Sequence, residues 1–376
     1  MLERIRQMLI KEFIQVLRDP KMKGVLFVMP VAQLLVFGYA VTTDVRNVRT
    51  AVYDLDNSVA SRELVSRFAS NGYFKIIEHV GTDERARELL DRGDAQIVLR
   101  MNKGFEEDLR AGRTAQLQVL ADGTDSNTAG IALNYSAQIV GEYSQSVLNS
   151  RAMRLLGPLR PPGQVRLQTR AWFNENLESR NFYLPGVIAI LVTLVTLLLT
   201  SMAVVREKEI GTMEQIMVTP IRPFEFILGK TVPFALISLV NVVLVTAVGV
   251  LWFNLPVRGS ILRLLLATVL YLLTALGVGL VISTISQTQQ QAMMSTFFFY
   301  MPSMLLSGFM FPIANMPVVV QWLTYLNPMR YFLVIIRGIF LKGVGFDVLW
   351  PQMLALAVIG VVTLGLASRR FRKTLA

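Results

Sequence analysis

The sequence predicts an α-helical polytopic membrane protein with six transmembrane helices and an inserted external α/β domain. Hydrophobic residues make up 53% of the 376 and charged residues 17%, where a soluble domain carries about 25% charged. Five runs contain no Asp, Glu, Lys or Arg, at 24–43, 181–205, 231–257, 264–329 and 348–368. Residues 44–182 differ, balancing 18 basic against 18 acidic side chains. The net charge of +11 therefore lies on short flanks beside the apolar runs. A nucleic-acid binder concentrates its basic residues on a folded polar face, so nucleic acid is excluded as a partner. Cysteine is absent and His79 is the only histidine. That excludes disulfide frameworks, iron–sulfur clusters and zinc sites, and no metal site is expected.

In residues 1–23, Leu2, Ile5, Leu9, Phe13 and Val16 recur at helical spacing, with Arg6, Lys11 and Arg18 elsewhere. This is the pattern of an amphipathic helix lying in the cytoplasmic interface, and Asp19-Pro20 ends it. The run at 24–43 is too long for the apolar stretch of a cleaved signal and no Ala-x-Ala site follows it. It is the first span, since a bilayer core takes roughly 20 helical residues. Spans 2, 3 and 6 fall at 183–205, 231–252 and 347–367. The longest run divides at Gln287-Thr288-Gln289-Gln290-Gln291 into spans at 263–284 and 292–312, joined by a loop at 285–291. Lys and Arg number six in 1–23, four in 206–230 and four in the tail 368–376, against one in 253–262 and three in 313–346. The basic side is cytoplasmic, which puts both termini inside and residues 253–262 and 313–346 outside. Long translocated domains escape this rule, so 44–182 is assigned outside.

Within 44–182 strands are predicted at Thr50–Tyr53, Phe74–Val80, Ala95–Arg100 and Ala115–Leu120. Helices are predicted at Ser58–Ala69, Asp83–Leu90 and Phe105–Ala111, an alternation typical of a small α/β domain. A long helix over Thr128–Leu155 follows, broken by Arg160-Pro161-Pro162-Gly163. Asp54, Asp56, Asp122 and Asp125 are carboxylates in turn-like settings, where Asp bonds the local backbone. No nucleophile signature is present.

The cytoplasmic loop 206–230 opens with Arg206-Glu207-Lys208-Glu209-Ile210-Gly211-Thr212-Met213-Glu214-Gln215-Ile216-Met217-Val218-Thr219-Pro220. Gly211 ends the helix extending span 2. Thr212 caps a new helix, with Gln215 as its capping-box partner and Glu214 suiting the helix dipole, and Pro220 stops it. Met213, Ile216 and Met217 form its apolar side. A helix this short is marginal alone, and a groove in a partner protein would cover that side.

This segment resembles the coupling-helix signature of type-2 ABC exporter permeases. Leu17-Arg18-Asp19-Pro20, Thr288-Gln289-Gln290-Gln291-Ala292, Leu306-Ser307-Gly308-Phe309, Asn315-Met316-Pro317 and Leu326-Asn327-Pro328-Met329-Arg330-Tyr331-Phe332 are similar to further family segments in the same order. The resemblance covers the whole chain and is closest to the bacterial multidrug-efflux branch. It implies a bacterial inner-membrane permease that dimerises, as a homodimer or heterodimer, and couples through Glu207, Glu209, Gly211, Thr212, Met213, Glu214, Gln215, Ile216, Met217 and Pro220 to a cytosolic ATPase subunit in two copies. ATP and Mg would then be held by that subunit and no cofactor by this chain. A periplasmic adaptor and membrane lipid complete the expected partners. For the external segment the resemblance implies closure of the exit, with Pro317, Trp322, Asn327, Pro328 and Arg330 as the residues assigned to that gate.

The chain has no ATPase motif of its own: Gly229-Lys230-Thr231 has Phe224 where a P-loop needs glycine, and no strand precedes it. The spans lack the mid-membrane carboxylates usual in gradient-driven transporters. They offer hydroxyls and amides instead, among them Thr193, Thr196, Thr200, Asn241 and Gln33, which points to an external energy source and an apolar or amphipathic cargo. Met and aromatic side chains suit promiscuous apolar surfaces. Met294, Phe297, Phe298, Tyr300 and Met301 of span 5 join the three threonines as the candidate substrate path. Gly277 and Gly279 are read as sites of close helix packing. Two rival classes share parts of this pattern: a sensor using the α/β domain, and a gradient-driven secondary transporter.

Overall fold

The computed structural model describes residues 2–18, 20–41, 45, 47–156, 172–175, 178–211 and 223–374. The chain forms two compact units, Met1–Thr42 with Arg170–Ala376, and Thr43–Thr169. The first unit opens with α1 (Leu2–Arg18) and the short α2 (Pro20–Lys23). A π-helical turn, Gly24–Val28, leads into α3 (Met29–Ala40). Pro30 has no N–H to offer the Leu26 carbonyl four residues before it, and Asn241 Nδ2 donates to that carbonyl at 2.7 Å.

The second unit holds a four-stranded sheet of β1 (Val48–Asp54), β2 (Phe74–His79), β3 (Ile97–Met101) and β4 (Leu117–Ala121), in the order β2-β1-β3-β4. β1 runs parallel to β2 and β3, and β4 antiparallel to β3. Its helices are α4 (Val59–Ser70), α5 (Asp83–Asp91), α6 (Phe105–Ala111) and α7 (Ser126–Leu156). Side chains alternate across a strand, so β1 feeds two cores. Val48 and Val52 join Leu64, Phe68, Phe105 and Tyr143 of α4, α6 and α7, while Ala51 and Tyr53 join Ala86 and Leu89 of α5. Burial on both faces explains the apolar stretch Ala51-Val52-Tyr53 of this central strand. The expected break at Arg160-Pro161-Pro162-Gly163 lies outside the described residues.

The first unit resumes with α8 (Ser179–Ile210), α9 (Pro223–Phe253), α10 (Ile261–Ile285) and α11 (Gln289–Leu305). Two short helices, α12 (Val318–Thr324) and α13 (Pro328–Arg337), precede a π-helical turn at Gly338–Lys342 and α14 (Phe346–Thr374). Among the described residues four helices are long and apolar enough to cross a membrane: Ser179–Ile210, Leu228–Phe253, Ile261–Ile285 and Phe346–Arg369. Gly24–Ala40 is a shorter apolar helix, and α11 has 17 residues. It stops at Leu305, ahead of the expected 312. Gly308 turns the chain at a φ of +83°, a conformation glycine reaches without strain.

α8 is buried nearly all round and forms the axis of this unit, as a helix apolar on every side must. Gly277 and Gly279 allow the close packing read from the sequence. A Cβ on Gly277 would overlap Thr363 of α14, and one on Gly279 would come within 2.7 Å of Thr200 on α8.

Candidate functional site

α8, α1 and α9 converge at the Glu207 end of α8. Lys230 Nζ of α9 donates to Glu12 Oε1 at 2.6 Å and to Glu207 Oε1 at 2.8 Å. Lys11 Nζ donates to Glu207 Oε1 at 2.9 Å. The side chains of Glu12, Glu207 and Lys230 are between 3% and 6% exposed, whereas Lys11 is 52% exposed. Two cations and two anions cancel, which is the condition for holding charge in an apolar interior. Beside this cluster Lys208 Nζ donates to the Thr284 carbonyl at 3.0 Å. Glu209 Oε2 accepts from Gln289 Nε2 at 2.7 Å. The base of α8 is thus tied to α1, α9 and the 285–289 turn by polar bonds on several sides.

Above the cluster opens a cleft of about 320 Å³. Its walls are Val16, Leu26, Met29 and Gln33 from the N-terminal helices, Leu194, Leu198 and Met202 from α8, Phe234 from α9, and Met293 and Phe297 from α11. Glu12, Lys230 and Arg206 line its polar part. Soft, mostly apolar walls with a few convergent polar groups, in a volume of this order, are the usual make-up of a small-molecule site.

Of the residues expected along the substrate path, Phe297 lines this cleft. Met294, Phe298 and Met301 are exposed on α11 and Tyr300 is buried. Thr193, Thr196 and Thr200 are buried away from it. Thr193 bonds the Tyr271 hydroxyl, Thr196 donates to Ser238 Oγ at 2.9 Å and Thr200 donates to the Thr196 carbonyl at 2.7 Å. Of the coupling residues, Glu207 belongs to the cluster, Glu209 is held on Gln289, and Gly211 closes α8 at a φ of +80°. Thr212, Met213, Glu214, Gln215, Ile216, Met217 and Pro220 lie outside the described residues.

At the far end of α8 stand the residues expected at the exit. Pro317 precedes α12 and Trp322 is exposed on it. Asn327 caps α13 by accepting from Met329 N at 3.1 Å and donates to the Ser303 carbonyl at 2.7 Å. Pro328 takes the first helical position, where its missing N–H costs nothing. Arg330 bonds the Thr324 hydroxyl and lies 4.0 Å over the Tyr325 ring. Phe332 stacks on Tyr271 with centroids 4.2 Å apart, which seats α13 in the buried core.

The sequence reading missed a second layer here. A Cβ on Gly186 would overlap the Phe309 ring, so the 308–309 turn is wedged against α8. Arg337 lies 3.9 Å over the Phe182 ring and donates to the Gly308 carbonyl at 3.2 Å. It also missed the buried charge cluster, for which one signal was present. Glu12 falls between Leu9, Phe13 and Val16 on the apolar face of α1, where a carboxylate requires a partner.

The carboxylates of the α/β unit are turn and cap groups. Asp54 Oδ1 accepts from Asp56 N and Asn57 N at 3.0 and 2.9 Å. Asp56 accepts from Gly104 N at 2.8 Å and Glu106 N at 3.1 Å, closing the start of α6. The hydrogen bond from Ser58, followed by those backbone amides, holds the Asp56 carboxyl below its usual value. Asp122 accepts from Thr124 N and Asp125 caps α7 through Thr128 N.

Residues 24–369 match the family described as ABC-2 family transporter protein. The chain belongs to the ABC-2 transporter family. It is 35% identical over 373 residues to the "Probable multidrug ABC transporter permease YbhR" of Escherichia coli strain K12, with 99% of each chain covered. It is 32% identical over 379 residues to "Probable multidrug ABC transporter permease YbhS" of the same organism, covering 99% of this chain and 97% of that one. It is 33% identical over 332 residues to "Inner membrane transport permease YhhJ", covering 86% and 85%. This ABC-2 protein is the multi-pass permease subunit of an ABC exporter. Membership of the family brings with it an ABC ATPase subunit as partner.

Proposed function

We propose that this permease exports apolar or amphipathic compounds, drugs and xenobiotics among them, out of the cytoplasm or the inner leaflet of a bacterial inner membrane. The observation that carries this reading is the mostly apolar cleft whose polar residues include Glu12 and Lys230 of the buried cluster. Cargo of mixed apolar and polar character fits those walls. The same cluster includes Glu207, five residues before the segment beginning at Thr212, so movement there passes directly into the base of α8. The printed names of the E. coli relatives, two of them multidrug permeases, support this cargo class.

In this reading six helices span the bilayer, the four long ones together with Gly24–Ala40 and α11. A 17-residue helix is at the short end of what spans a bilayer core. Residues 44–182 lie outside and both termini inside. Glu207–Pro220 forms the coupling segment, with Thr212–Pro220 docked on the ATPase subunit, which binds ATP and Mg. Two permease chains, identical or paired with a relative, assemble with two ATPase copies, and a periplasmic adaptor takes the cargo onward. The wedge of Phe309 on Gly186 and the Arg337 bond to Gly308 close the exit, with the Asn327–Arg330 corner holding α13 in place.

The test is purification in mild detergent followed by mass spectrometry, with dye export measured in parallel. The wild-type chain is expected to retain a stoichiometric P-loop ATPase. The Glu214→Ala, Gln215→Ala double variant is expected to insert normally, lose the ATPase and export nothing. Undiminished export by the double variant removes the coupling role from this segment.

A further inference from the structure

In the α/β unit the long helix α7 packs on α4 and β4, and beside it lie two recesses of about 790 and 540 Å³. Both are lined by Leu109, Tyr143, Val147 and Arg151. The larger one mixes apolar walls, Phe105 and Val140 among them, with the amides Asn102 and Gln118. Its volume is that of a site for a drug-sized molecule.

The basic residues of these walls differ in one respect. Arg67 is paired with Glu63 at 2.9 Å, Arg110 with Glu106 at 2.5 Å and Arg113 with Asp108 at 2.7 Å. Arg154 donates to the Ser150 carbonyl at 3.3 Å. The Arg151 side chain makes no ion pair and no hydrogen bond among the described residues, although the residue is half-buried. Its guanidinium lies against Gly112, where a Cβ would overlap it. Gly112 also closes α6 at a φ of +77°, a conformation glycine reaches without strain. The guanidinium thus borders both recesses with its donors uncommitted to any protein acceptor among the described residues.

We propose that the Arg151 recess binds a small anionic amphiphile, a carboxylate or sulfonate carried on an apolar, ring-containing body. The planar guanidinium fork matches such an oxyanion. Tyr143, Phe105 and Leu109 offer apolar contact for the body. Arg151 and Arg154 together disfavour a cation of the same shape. This binding is separate from the proposed export path and requires no ATPase, so its test stands or falls independently.

The experiment is equilibrium dialysis of radiolabelled 4-phenylbutyrate against the full chain in nanodiscs, with empty nanodiscs as background. Neutral 4-phenylbutanol and cationic 4-phenylbutylamine serve as probes of charge. Saturable binding of the acid at one site per chain is expected, with the alcohol about tenfold weaker or worse and the amine unbound. A charge-assisted hydrogen bond has that magnitude. Arg151→Met is expected to bring the acid down to the affinity of the alcohol. Val147→Trp, one turn before Arg151 on the same face of α7, fills the recess without touching the guanidinium and is expected to remove both. Absence of saturable acid binding to the wild type, equal affinity for acid and alcohol, or full affinity retained in Arg151→Met overturns the proposal.

Discussion

Charge is used in opposite ways by the two units of this chain. In the α/β unit carboxylates and guanidiniums meet at the surface. Arg85 bridges Glu78 and Glu88, each at 2.9 Å, and Arg92 and Arg87 repeat the pattern along α5. These side chains are about one-third exposed or more, and such pairs contribute little because water and salt screen them. In the membrane unit charges are sparser for its length, and four of them are gathered at Glu207 with three sealed from solvent. The lesson is one of redundancy. A solvated pair can lose a member quietly, whereas each buried member is what makes the others tolerable.

The sharpest way to break that contrast is Lys230→Met, which leaves Glu12 and Glu207 without their shared cation. Removing one partner of a buried pair costs about 3–5 kcal/mol, so the variant is expected to disappear from the folded membrane fraction or to melt far below the wild type. Replacing all three buried groups, as Glu12→Gln, Glu207→Gln, Lys230→Met, is expected to recover most of the lost stability. Failure of the triple variant to recover would mean that the cluster does more than balance charge.

A smaller effect is expected at the exit. Gly186→Val drives a side chain into Phe309, and overpacking of this kind costs about 1–3 kcal/mol. Adding Phe309→Ala is expected to relieve it, since the two positions touch and their effects are therefore not additive. Equal melting of single and double variants would argue against the wedge.

In the α/β unit the expected changes are smaller still. Asp56 has a folded pKa below the ordinary aspartate value of 3.8. Its contribution is therefore complete above that value and is lost as pH falls through the lower folded pKa. Melting followed from about pH 5 downward is expected to fall more steeply in the wild type than in Asp56→Asn. For Arg85→Ala no resolvable change in melting is expected, and a large one would mean that the surface network is cooperative.

The legibility of the chain follows the same division. Apolar runs and strand–helix alternation are local signals, so the long helices, the four strands and the Asp54, Asp56, Asp122 and Asp125 turns were all readable from neighbouring residues. The early end of α11 was not, because Leu306–Phe311 stays apolar while Gly308 turns the backbone. The Glu12–Lys230 contact joins residues 218 apart, and only the misplaced acid on the apolar face of α1 hinted at it. Hydroxyls in a span read alike whether they face a path or a neighbour. In the folded unit Thr193 and Thr196 are bonded to Tyr271 and Ser238. Arg337 and Phe309 act through contacts with Phe182 and Gly186 that no spacing rule reveals.

The central claim is that cargo enters by the cleft above the buried cluster, and filling that cleft tests it most directly. Leu198→Trp places a larger apolar side chain among Met29, Met202 and Phe297 without touching the charges. In inverted vesicles bearing the assembled transporter, the account predicts that dye transport and dye-stimulated ATP hydrolysis are lost while basal hydrolysis and assembly with the ATPase persist. Transport at the wild-type rate with the cleft filled would contradict it.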